Sequence, residues 1–133
     1  MNAKSRKEEK MFSNKVQISL FVDDVKKAVD FWQSLDFAVI DSQETDGTLV
    51  VEIAPSKDAE MSFVLYDRNF IEKQSPGVAT NPPQVMFFAE NITDLYKKME
   101  NLPIEIGELI QMEETLVFNF VDPDGNYFAV SEA

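Results

Sequence analysis

The chain has 133 residues, 44% of them hydrophobic, with 11 Phe, a net charge of −12, and neither cysteine nor histidine. That length suits one domain with a real core, and the missing side chains exclude disulfides, thiolate chemistry, imidazole acid–base work and any metal site built on sulfur or imidazole. An acidic body repels phosphate backbones, so no nucleic-acid partner is expected, and no apolar run is long enough to span a membrane.

Residues 1–15 read as a polar arm. Lys4, Arg6, Lys7, Lys10 and Lys15 stand against Glu8 and Glu9, which gives the arm +3 and leaves −15 for the remainder. It has no apolar h-region, so it is not a secretory signal, and its composition predicts a frayed, solvated tail. With cysteine absent as well, a cytoplasmic location is expected.

The first strand is expected at 16–22. Asp23-Asp24 supplies N-cap chemistry for a helix over 24–35, where Val25, Ala28, Val29, Trp32 and Leu35 recur at helical spacing and define one buried face. Strands follow at 37–42, 47–54 and 61–66. Asp46-Gly47 tolerates the positive φ that a hairpin turn between the first two of them needs. Residues 67–82, with Gly, Pro, Ser and Asn, read as a loop, either a lid or a plain connector. The pattern then starts again: a strand at 84–89, a Glu90-Asn91 cap, a helix over 92–101, and strands at 105–111, 115–121 and 126–131. The last strand is entered through the turn residues Asp122, Pro123, Asp124 and Gly125.

This restart is an internal repeat at an offset of 67 residues. Gln17 falls on Gln84, Val25 on Ile92, Trp32 on Met99 and Leu35 on Leu102, while Thr48-Leu49-Val50 is identical to Thr115-Leu116-Val117. No gap is needed to align the halves. Each half is therefore β-α-β-β-β, giving an α+β chain of two modules, 16–66 and 83–133, within one domain.

The duplicated unit resembles the vicinal oxygen chelate superfamily, which includes glyoxalase I, bleomycin-resistance proteins, fosfomycin-resistance enzymes and extradiol dioxygenases. The stretches that carry the likeness are "VQISLFVDDVKKAVDFWQSLDF" and "FNFVDPDGNYFAV", and it extends over residues 16–131. The resemblance implies tandem βαβββ modules forming a curved mixed sheet around a central cavity, usually in a homodimer. It also implies metal ligands near the start of each first strand and in each last strand. Those positions hold Gln17, Gln84, Ser62 and Ala129. Two amides, a hydroxyl and a methyl do not offset the cost of stripping water from a divalent ion, so neither metal nor cofactor is expected.

Strand alternation, anchored on those positions, assigns the cavity face. Gln17, Ser19, Phe21 and Ser62 line it in one half, and Gln84, Met86, Phe88 and Tyr127 in the other; Val16, Ile18, Leu20 and Val22 face the helix instead. Glu52 and Asn119 occupy equivalent places in the third strands, and alternation leaves their face open. Aromatic, amide and hydroxyl groups in one list suit a small-molecule pocket, although paired amides and Met or Phe side chains also serve as plain core. Three functions follow. The first is a metal-free protein that binds a small aromatic or cationic molecule between the modules. The second is a metal-independent lyase or isomerase, in which Glu52, with a pKa raised by burial, or Tyr127 acts as acid or base. The third is a structural or regulatory module that binds another protein. The sequence leaves open whether the modules pair within a chain or between chains.

Overall fold

The computed structural model describes residues 11–133; of the tail expected at residues 1–15, residues 1–10 lie outside the described residues. Strand β1 (Val16–Val22), helix α1 (Val25–Ser34) and strands β2 (Ala38–Thr45), β3 (Thr48–Ala54) and β4 (Met61–Asp67) form the first module. Its sheet has the order β1-β4-β3-β2, with β1 parallel to β4 and the other pairs antiparallel. After helix α2 (Arg68–Gln74), the second module comprises β5 (Met86–Ala89), α3 (Ile92–Glu100), β6 (Glu105–Ile106), β7 (Ile110–Met112), β8 (Thr115–Val121) and β9 (Tyr127–Glu132). This sheet has the order β5-β9-β8-β6, with β7 also paired to β8.

Local chemistry fixes most boundaries. Asp24 caps α1 by accepting from the Lys27 N–H at 3.1 Å, and Asn91 caps α3 by accepting from the Asp94 N–H at 3.3 Å. Asp46 and Gly47 adopt φ of 53° and 81°, so the β2–β3 turn uses the left-handed conformations that match strand twist.

Three features depart from the sequence reading. The first half of the expected 67–82 loop is the helix α2, capped by the Asp67 carboxylate, which accepts from the Phe70 N–H at 3.0 Å. The strand expected at 105–111 is two short pieces that pair separately with β8. Most consequentially, the gap-free repeat holds only as far as β8. In the first module Gln17 lies opposite Ser62 and Glu52 opposite Val64. In the second, Met86 lies opposite Ala129 and Asn119 also lies opposite Ala129. The register of β9 has therefore slipped by two residues, because the turn at 122–126 is tighter than the 55–60 connection. By pairing, Tyr127 corresponds to Ser62 and Ala129 to Val64.

The core joins the two modules through their inner faces. Trp32, which is fully buried, has Phe63 of the first sheet at 5.2 Å and Phe87, Phe120 and Phe128 of the second at 6.2, 5.8 and 5.0 Å between ring centroids. Phe63 and Phe87 also meet edge-on at 5.9 Å. The faces opposite these rings, carrying Gln17 and Ser62 in one sheet and Met86 and Phe88 in the other, point away from each other. The two modules of one chain do not enclose a common cavity between those faces.

The Asp122–Asn126 turn locks this arrangement. The Asp122 carboxylate, 5% exposed as a residue, accepts from the backbone N–H groups of Asp124 and Asn126 and from the Asn126 amide. Gly125 takes a φ of 82° to close the turn. Asp124 then reaches the other module and accepts from the Asp23 N–H at 2.9 Å. Arg68, from the start of α2, donates to the Asp23 carboxylate at 2.5 Å and to the Phe21 carbonyl at 2.7 Å, and its Nη1 lies 3.9 Å from Asp124. Burial pushes the Asp124 carboxyl up, assisted by the nearby Asp122 and Asp23 charges, and the Asp23 N–H and Arg68 only partly offset that push.

Candidate functional site

Three residues of the first module meet on its open face. Glu52 Oε2 accepts from the Ser62 hydroxyl at 2.7 Å and from the Gln17 side-chain amide at 3.0 Å. Alternation explains the meeting: Val51 and Ile53 point into the core, so Glu52 shares the face of Ser62 and of Gln17, which is Ser62's partner across the β1–β4 ladder. Lys15 Nζ stands 4.0 Å from the same oxygen. Glu52, Ser62 and Lys15 line a cleft of about 410 Å³ whose other walls include Asn14, Ala54, Lys57 and Glu60. The foot of the expected arm is thus part of the cleft wall. Residue type alone gave no signal for this, because a lysine next to a polar tail looks like any solvated charge.

The Glu52 carboxyl is held below its ordinary range. The Ser62 hydroxyl is the largest cause, with Gln17 and Lys15 assisting against the desolvation that raises it. This reverses the raised pKa expected for a base at this position. A carboxylate stabilised in its ionised form is a weaker proton acceptor and a better counter-ion.

At the other end of the same face, Phe21 stacks on Tyr66 at 5.7 Å between centroids. Tyr66, Phe70 and Ile71 line a second cleft of about 280 Å³ with Val50, Thr48 and Asp46. Helix α2 supplies two of these walls, so the connecting segment builds the site's border. Ser19 lies between the two ends of β1 and is exposed.

The second module's candidates share its open face but not a hydrogen-bonded cluster. Phe88, Tyr127 and Met86 are 67%, 68% and 51% exposed, and Asn119 is exposed beside Ala129. Gln84 precedes β5 instead of starting it. Phe88 and Tyr127 are thus two exposed rings on one sheet face.

The donor set does not fit a metal of the kind the resemblance implies. Glu52 is one carboxylate, and its Oε2 already accepts two hydrogen bonds; Gln17 and Ser62 present N–H and O–H toward it. The slipped register places Val64 and Ala129 at matching points of the two last strands, and neither is a ligand. Among the described residues, no group of three or more His, Cys, Asp or Glu is placed to hold an ion. No helix among them is long and apolar enough to cross a membrane.

A strand–helix–three-strand unit occurring twice, with its polar cluster on an open sheet face, defines the class of protein. The chain belongs to the Glyoxalase/Bleomycin resistance protein/Dioxygenase superfamily, whose sequence model matches residues 16–130. Its relatives include the uncharacterised protein YetH of Bacillus subtilis (strain 168), 30% identical over 119 residues that make up 86% of this chain and 94% of YetH. Among solved structures, a superfamily member from Sphaerobacter thermophilus DSM 20745 is similar with a TM-score of 0.77 at 21% identity, covering 93% of this chain and 100% of that one. TnmS3, an antibiotic binding protein from Streptomyces sp. CB03234, is similar with a TM-score of 0.75 at 21% identity, covering 93% of this chain and 98% of its own. At these identities the structural likenesses show a shared fold.

Proposed function

We propose that this protein binds a small aromatic or cationic organic molecule without a metal ion, at a site that a homodimer completes. The observation that carries the reading is the ionised Glu52, held by Ser62 and Gln17 within a cleft of about 410 Å³ on an open sheet face. That volume falls in the range of small-molecule pockets, roughly 300–1,000 Å³. An ionised carboxylate in a chain of net charge −12 favours a cationic group over a phosphorylated one. The antibiotic binding recorded for TnmS3 supports the same direction on the same fold.

The direction of the two open faces supports the dimer. The polar face of the first module and the aromatic face of the second point away from each other within one chain, so a second copy is what brings such faces together. Phe88, Tyr127 and Met86 would then contribute apolar walls opposite Glu52. The enzymatic alternative is weaker, because the lowered pKa of Glu52 suits a counter-ion more than a base.

A thermal-shift screen of purified protein against aromatic and cationic compounds tests this reading. A saturating ligand is expected to raise the melting temperature by several degrees, since binding at about 100 times Kd contributes about 2.7 kcal/mol. Sedimentation of the same sample should give about twice 15.2 kDa. A clean monomer removes the composite site, and a panel with no stabilising compound removes the binding reading.

A further inference from the structure

We infer that the cleft between the two modules is a separate small-molecule site, for an uncharged ligand the size of one aromatic ring. It lies behind the open faces, where the inner faces of the sheets meet the ends of the helices. Leu35 and Phe37 follow α1; Phe87 and Phe120 come from the second sheet; Leu95 and Met99 come from α3. Every residue lining the cleft is apolar, and the space measures about 160 Å³. It reaches the surface beside Pro55 and Phe88, both exposed, which gives a route of entry.

Chemistry and size select the occupant. Water in this cleft finds few of the two to four polar partners it prefers, so an apolar guest displaces it readily; a closed engineered cavity of about 150 Å³ with similar walls takes up benzene. A charged or strongly hydrogen-bonding ligand would lose hydration here with no polar side chain in the lining to replace it. The Phe87 and Phe120 rings can pack against a guest ring in offset or edge-to-face geometry. Glu52 is not part of the cleft's lining, and Phe87 and Phe120 project from the sheet faces opposite to those carrying the polar cluster; only Phe88, at the mouth, is shared with the exposed face. This site does not rest on the function proposed above, and either can fail alone.

The chain carries its own reporter. Trp32 is the sole tryptophan, and its ring lies 4.8, 6.2 and 5.8 Å from Phe37, Phe87 and Phe120, three walls of the cleft. Benzene titrated into the full-length protein should change Trp32 emission saturably and raise the melting temperature by roughly 5 °C near saturation. Methyl resonances of Leu35, Leu95 and Met99 should move, while those of Val50 and Ala129 on the open faces stay. Leu95→Phe, which fills part of the space, should weaken benzene binding at least about tenfold. The inference is overturned if wild-type protein shows no saturable change up to the solubility of benzene. It is equally overturned if the shifts fall on Val50 and Ala129, or if a folded Leu95→Phe protein binds as wild type does. Should that variant not fold, the methyl shifts of the wild type decide the matter.

Discussion

Trp32→Ala is expected to lose about 3–5 kcal/mol of stability, the cost of deleting a large buried aromatic side chain. That is a major share of the 5–15 kcal/mol typical of a folded domain. The effect is large because Trp32 joins the modules. Its ring lies against Phe63 of the first sheet and against Phe87, Phe120 and Phe128 of the second. Among the described residues the indole N–H has no hydrogen-bond partner, so the cost comes from packing and not from a lost bond. Trp32→Phe therefore retains part of the packing, sheds an unsatisfied donor, and should cost clearly less. Urea denaturation followed by circular dichroism measures both variants. A loss below about 1 kcal/mol for the alanine variant would show that the modules are held together elsewhere.

Glu52→Ala should destabilise the protein by about 1–2 kcal/mol at neutral pH, because it strands a buried hydroxyl. Ser62 is 4% exposed and its hydroxyl donates to Glu52, whereas Gln17 is exposed and its amide can turn to water. The pH dependence has a definite sign. The folded protein holds the Glu52 carboxyl below its unfolded value, so its contribution is complete above that unfolded value. The contribution is then lost as the pH falls through the lower folded one. The gap between wild type and variant should thus be widest near neutrality and close in acid. Thermal melts over the acid range check it. A gap that widens as the pH falls would mean that Glu52 is buried neutral. Asp124 works in the opposite sense, since its raised carboxyl costs stability when ionised and recovers it in acid. The Glu52 effect is therefore read as a difference between two proteins that both retain Asp124.

Much of the fold was legible because local signals agreed. The Asp24 and Asn91 caps, the Asp46-Gly47 turn and the helical spacing of Val25, Ala28 and Trp32 each point to the element that forms. Helix α2 was not, because seven residues with only Phe70 and Ile71 as apolar anchors give no periodicity to read. The face of Glu52 was hidden because strand β3 is apolar on both sides, with Leu49, Val51 and Ile53 on one and Val50 and Ala54 on the other. The slip of β9 cannot be seen in an ungapped repeat, since a shift of two residues preserves alternation. The outward direction of the open faces depends on aromatic contacts between the modules, and so on residues distant in sequence. The inter-module lock of Asp23, Arg68 and Asp124 is hidden for the same reason.

The scaffold is that of the superfamily, but the positions the resemblance assigns to metal ligands hold Gln17, Gln84, Val64 and Ala129, and Glu52 is tied to two donors. Isothermal titration of the purified, chelator-treated protein with zinc, nickel and manganese puts this to the test. No saturable heat is expected at micromolar concentrations, and the protein should melt at the same temperature with or without metal. Stoichiometric binding of any of the three ions, abolished in Glu52→Ala, would contradict it.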